Sequence, residues 1–138
     1  MSKMFSCCSS LTSLNLSCFD TSNVRSMSWM FNECSSLKIL DLSSFNTAKI
    51  DYISGMDGMF LDCSSLKTIY AGNWGESYND VLMFKGCENL AGGQGTKLGD
   101  NLYGYDQKGY PLYYFCYSNS SAAHIDGGKD WPGLFTAK

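Results

Sequence analysis

Apolar positions fall into a pattern that returns four times along the chain. "MFSCCSSLTSLNLSCF" begins at Met4, "MFNECSSLKILDLSSF" at Met30, "MFLDCSSLKTIYAGNW" at Met59 and the shorter "MFKGCENL" at Met83, at spacings of 26, 29 and 24 residues. Periods of this size belong to stacked supersecondary units, and the leucine-rich repeat spans about 20 to 29 residues. Within the copies, Leu11-x-x-Leu14-x-Leu16, Leu37-x-x-Leu40-x-Leu42 and Leu66-x-x-Ile69-x-Ala71 end in strict alternation. That alternation predicts one short strand per copy.

An aromatic follows each predicted strand at a constant offset: Phe19, Phe45 and Trp74. They are expected to stack as a spine. The "DTSN" of Asp20 to Asn23 then supplies N-cap residues, and Val24, Met27, Met30, Phe31 and Cys34 recur at three-and-four spacing. This predicts the buried stripe of a short helix. Ile50, Ile53, Met59, Phe60 and Cys63 repeat it in the second interval, whereas "GESYND" leaves the third too short for a full helix. No copy buries both of its faces alone, so stability must come from neighbours. The expected fold is α/β: a short right-handed leucine-rich-repeat solenoid with a parallel sheet on one face, short helices or turns on the other, and a C-terminal cap. Residues 1–98 would form the solenoid and residues 99–138 the cap, together one structural unit and a fragment of a longer chain.

Composition narrows the chemistry. A formal net charge of -3 over 138 residues, with the ten Lys and Arg scattered, offers no basic face for nucleic acid. No apolar run reaches the roughly 20 residues that a membrane-spanning helix requires, and "MSKMFSCCSSL" lacks the pattern of a secretory signal. Seven cysteines, an odd number, argue against a closed disulfide framework. Cys8, Cys34, Cys63 and Cys87 hold the same place in successive copies, on the apolar stripe, and are expected to be buried. Cys7, Cys18 and Cys116 lie outside that column, and a disulfide among these and Cys8 stays open.

Catalytic and cofactor signatures are weak. His124 is the single histidine, and no G-x-S-x-G elbow accompanies it. "GGQGTK" has Gly-Thr-Lys where a phosphate loop needs Gly-Lys-Ser or Gly-Lys-Thr. "DYISGMDG" lacks the ligand ladder of a calcium loop. The reading is of a protein that is no enzyme and carries no cofactor. Its candidate binding residues are those pointing outward from the strands, above all Asn15, Ile39, Asp41, Thr68 and Tyr70. A second candidate is the aromatic insert "NLYGYDQKGYPLYYFCY", with Tyr110, Tyr113 and Tyr114, which either packs the open end or binds carbohydrate.

The phrases "MFNECSSLKILDLSSFNT", "FDTSNVRSMSWMF", "AGGQGTK" and "AHIDGGKDWPGLFTAK" resemble the BspA-like leucine-rich-repeat proteins of bacterial cell surfaces, over almost the whole chain outside roughly 101–121. The resemblance implies a non-enzymatic, secreted or surface-anchored adhesion module that binds host or neighbouring-cell surface proteins or glycans. Two alternatives stand beside it: a carbohydrate-binding module built on the tyrosine insert, and a purely structural end cap. Upstream repeats or self-association could cover the open N-terminal edge.

Overall fold

The computed structural model describes residues 1–51, 54–72, 82–93 and 135–136. Three strands form one parallel sheet in the order β1 (Ile39–Leu42), β2 (Thr68–Ala71) and β3 (Phe135–Thr136). The register sets Ile39 against Thr68 and Asp41 against Tyr70, with Leu40 against Ile69 and Leu42 against Ala71. Leu40, Leu42, Ile69 and Ala71 are buried, whereas Ile39 is exposed and Asp41, Thr68 and Tyr70 are half-buried. The period-2 pattern thus separates a core face from an outer face, as a half-buried strand requires. Gly72 follows directly: a Cβ there would sit 2.6 Å from the carbonyl oxygen of Ser43, so only glycine lets β2 leave the sheet at this place.

The expected helices are absent among the described residues, and the segments leading into each Met-Phe pair are turns. Their backbone explains why. In the second copy the N–H groups of Trp29, Phe31 and Glu33 donate across to the carbonyls of Asp57, Met59 and Leu61 at 2.8, 2.9 and 2.7 Å. The alternate N–H groups of Met30, Asn32 and Cys34 donate back to Met27, Trp29 and Phe31 at 3.1, 3.3 and 3.1 Å. An α-helix would direct all of them along its own axis. Here every second one joins the next copy instead. The same bonds link Lys3, Phe5 and Cys7 to Ser28, Met30 and Asn32, and link Phe60 and Asp62 to Met83 and Lys85.

This alternation requires two left-handed residues per copy. Lys3, Trp29, Gly58 and Leu82 precede the methionines, and Cys7, Glu33, Asp62 and Gly86 precede the column cysteines, all with φ between 55° and 79°. Most are not glycine, although the left-handed region costs an L-residue roughly 1–2 kcal/mol. The cross-copy bonds and the burial of Met, Phe and Cys between them offset that strain. Gly58 has a second reason to be glycine, because a Cβ would lie 3.0 Å from the Trp29 ring.

The core is a set of columns. Met30, Met59 and Met83 are fully buried, as are Cys34, Cys63 and Cys87. The rings of Phe5, Phe31, Phe60 and Phe84 stack nearly parallel at centroid separations of 5.5, 5.9 and 5.6 Å. The aromatic spine therefore runs through the Met-Phe turns, not through Phe19 and Phe45. Those two bond by N–H to Leu16 and Leu42 of their own copies. Phe45 is buried, and Phe19 tilts onto Phe5 at 53°. Trp74 lies outside the described residues.

Two expectations for the first copy are also corrected. Leu14 to Leu16 is not a strand, and no backbone hydrogen bond joins this run to β1. Its exposed Thr12, Ser13, Asn15 and Ser17 are small polar residues with little to pack on a pleated surface. Cys8 is exposed, not buried, because it lies in the copy at the edge of the described stack. Met4 is 48 % exposed for the same reason.

The "DTSN" residues do form a cap, but over a turn. Asp20 Oδ1 accepts the Ser22 N–H at 2.9 Å, and Asn46 Oδ1 accepts the Ala48 N–H at 2.9 Å. Between them the buried Thr21 hydroxyl donates to the Asn46 carbonyl at 3.1 Å and accepts the Asn46 N–H at 2.7 Å. One threonine thus satisfies both backbone groups of a residue in the next copy. Of the expected cap segment, the described residues are those of β3, which pairs in parallel with β2.

Candidate functional site

The repeated cysteines come first, because thiols are the most reactive groups that the pattern aligns. Cys34 Sγ donates to the Phe5 carbonyl at 3.2 Å, Cys63 to that of Phe31 at 3.0 Å and Cys87 to that of Phe60 at 2.9 Å. Each thiol is thus a donor bridging to the previous copy. Burial is the main cause that raises their pKa values, Cys34 to about 11 and Cys87 to about 12; Cys63 is raised by burial and then by the neighbouring Cys87. A thiol held as S–H is a poor nucleophile and a poor metal ligand. Cys7, Cys8, Cys18, Cys34, Cys63 and Cys87 are all free thiols. Among the described residues no group of three or more His, Cys, Asp or Glu side chains could hold a metal ion, and no helix is long and apolar enough to cross a membrane.

The outer sheet face is different. Ile39 is 56 % exposed, a large apolar side chain standing beside Thr68, with Asp41 beside Tyr70 along the same face. The structure thus brings together four of the five strand residues singled out from the sequence. Asn15 stands at the margin, in the run that does not pair with β1.

Between that run and β1 the surface opens into a hollow of about 270 Å³. Leu14 to Ser17 form one wall, and Asp41, Ser43 and Ser44 the other. Its polar groups are fixed by twin turns. Asn15 Oδ1 accepts from the Ser17 N–H and hydroxyl at 3.0 and 2.8 Å, and Asp41 Oδ1 accepts from the Ser43 N–H and hydroxyl at 3.0 and 2.7 Å. These side chains are held in place before any ligand arrives. Alternation alone identified Asn15 and Asp41 but not the serines as their partners. The signal was present as Asn-x-Ser at Asn15 and Asp-x-Ser at Asp41, one copy apart. Tyr110, Tyr113, Tyr114 and His124 lie outside the described residues.

Residues 1–94 match a family model described as "Mycoplasma protein of unknown function, DUF285". No curated protein and no solved structure matches the chain. The matched region holds all four Met-Phe copies, their cysteine column and the hollow, and the chain belongs to the DUF285 family.

Proposed function

We propose that the chain is a leucine-rich-repeat solenoid of the BspA-like kind that serves as a non-enzymatic adhesion module, secreted or displayed at a cell surface, contacting host or neighbouring-cell macromolecules through its outer strand face. The observation that carries this reading is Ile39, 56 % exposed at the start of the edge strand β1, on an otherwise polar face. An exposed large apolar side chain with a carboxylate and a tyrosine near it has the composition of a contact patch, in which a few such residues supply most of the affinity. The cysteine column supports it from the other side, since its thiols are committed to backbone carbonyls.

The test measures binding of the purified chain to fixed epithelial cells and to neighbouring bacteria, native against Ile39→Lys and Tyr70→Ala. Ile39 is a surface residue, so its substitution leaves the fold intact. A loss of about tenfold in affinity, about 1.4 kcal/mol, is expected for Ile39→Lys. Undiminished binding by both variants would refute the proposal.

A further inference from the structure

We infer that the open face of the first copy is a docking edge for a Met-Phe turn of another polypeptide, a segment with the pattern Met-Phe-x-x-Cys that adds to the stack in trans. The inference is independent of the outer strand face.

The interfaces inside the stack define what this edge takes. Lys3, Phe5 and Cys7 donate by N–H to the carbonyls of Ser28, Met30 and Asn32, and Trp29, Phe31 and Glu33 donate to those of Asp57, Met59 and Leu61. The first-copy residues that match these acceptors are Ser2, Met4 and Ser6. Among the described residues no hydrogen bond reaches their carbonyls. A thiol completes each interface, Cys34 donating to the Phe5 carbonyl and Cys63 to that of Phe31. Cys8 holds the same place in the first copy, yet it is exposed and its thiol donates to no carbonyl among the described residues. The apolar columns end in the same way. Met30, Met59 and Met83 are fully buried, whereas Met4 is 48 % exposed, and Phe5 has one parallel ring neighbour where Phe31 has two.

Three carbonyls at two-residue spacing, one thiol donor and one unfinished ring stack select a particular backbone. The occupant must present alternate N–H groups, a ring to lie on Phe5 and a carbonyl for Cys8, which is what a Met-Phe-x-x-Cys turn offers to the copy above it. A purely apolar ligand would cover the three carbonyls without giving them a donor. A second copy of this chain does not fit either. Turned head to head it brings acceptors to acceptors, and at its far end Met83 and Cys87 are fully buried and Phe84 is 5 % exposed, so that turn is already covered.

The probe is a synthetic peptide with the sequence of residues 26–37, carrying Cys34→Ser and two added lysines at each end for solubility. Docking orders a free chain, so half-saturation is expected at about 1 mM. With about 4 mM peptide, iodoacetamide labelling of Cys8 in the full chain should slow about fivefold. Cys7 and Cys18 should keep their rates, because Glu33, Asp62 and Ser44, which hold their places in covered copies, stay exposed. The same peptide N-methylated at Phe31 keeps every side chain but loses the central donor, and it should not protect Cys8. Met4→Glu puts a charge where the stack buries methionine and should abolish protection, while Ile39→Lys on the strand face should leave it unchanged. Unslowed labelling of Cys8, equal slowing of all three thiols, or protection by the N-methylated peptide overturns the inference. Protection of Cys8 that appears without peptide as the chain is concentrated, and is lost in Met4→Glu, identifies a second copy as the occupant and overturns it equally.

Discussion

Buried thiols that donate to carbonyls are protonated, and their chemistry follows from that. Alkylation of the native protein, mapped by mass spectrometry, should label Cys7, Cys8 and Cys18 rapidly and leave Cys34, Cys63 and Cys87 unlabelled until the chain unfolds. Each buried thiol is harder to ionise folded than unfolded. The stabilisation this gives is complete below the ordinary thiol value of 9.0 and is lost as pH rises through about 11 for Cys34 and about 12 for Cys87. Denaturant midpoints should hold from pH 7 to about 8.5 and fall above it, and the fall should be shallower in Cys34→Ala and Cys87→Ala. An equal slope in both variants would show that tyrosines and lysines cause the alkaline loss. Left-handed residues give a prediction of opposite sign. Glu33 is exposed and has φ 58°, so Glu33→Gly should raise stability by roughly 0.5–1 kcal/mol, after the greater freedom of glycine in the unfolded chain is subtracted.

For the elements, the phenylalanine column sets the hierarchy. Phe31 is fully buried, with rings stacked on both faces, whereas Phe5 is only half-buried. Phe31→Leu should therefore cost more than Phe5→Leu in urea midpoints, by about 1 kcal/mol or more, since it gives up stacked rings on both faces at a fully buried site, whereas Phe5 has one stacked and one tilted ring at a half-buried one. Equal costs would mean that the column is not a cooperative unit. The strand pairing was legible in the sequence because side chains on a strand alternate with period two, so Ile39, Asp41, Thr68 and Tyr70 could be assigned to one face before any register was known. The choice between helix and turn on the other side was not legible. Met27, Met30, Phe31 and Cys34 are spaced as a helix would space them, yet the same three-and-four rhythm arises when left-handed residues at Trp29 and Glu33 reset the chain every four positions. Side-chain spacing does not report which way an N–H points. Nor does it reveal that the weakly strand-forming "TSLNLS" of the first copy would stand off from β1 and leave a hollow.

In the molecule as a whole, order should grade from edge to centre. The N–H of Phe31 lies inside the stack and bonds the Met59 carbonyl, and that of Phe60 bonds Met83; the N–H of Lys3 bonds Ser28 from an exposed residue of the outermost copy. Native-state hydrogen exchange should therefore be slowest at Phe31 and Phe60 and fastest at Lys3 and Cys7, with the Glu33 amide in between. Uniform protection would instead indicate all-or-none opening of the four copies. The bonds between successive Met-Phe turns also share one direction: amides of the lower copy donate, carbonyls of the higher copy accept. Peptide dipoles aligned in this way add, so this side of the stack carries a net field, with its negative pole at the first copy. Lys3 and the terminal ammonium of Met1, which bonds the Ser26 carbonyl at 2.8 Å, stand at that pole. Two such faces, carbonyl row against carbonyl row, repel each other. A second described stack turned head to head would therefore meet like pole against like pole.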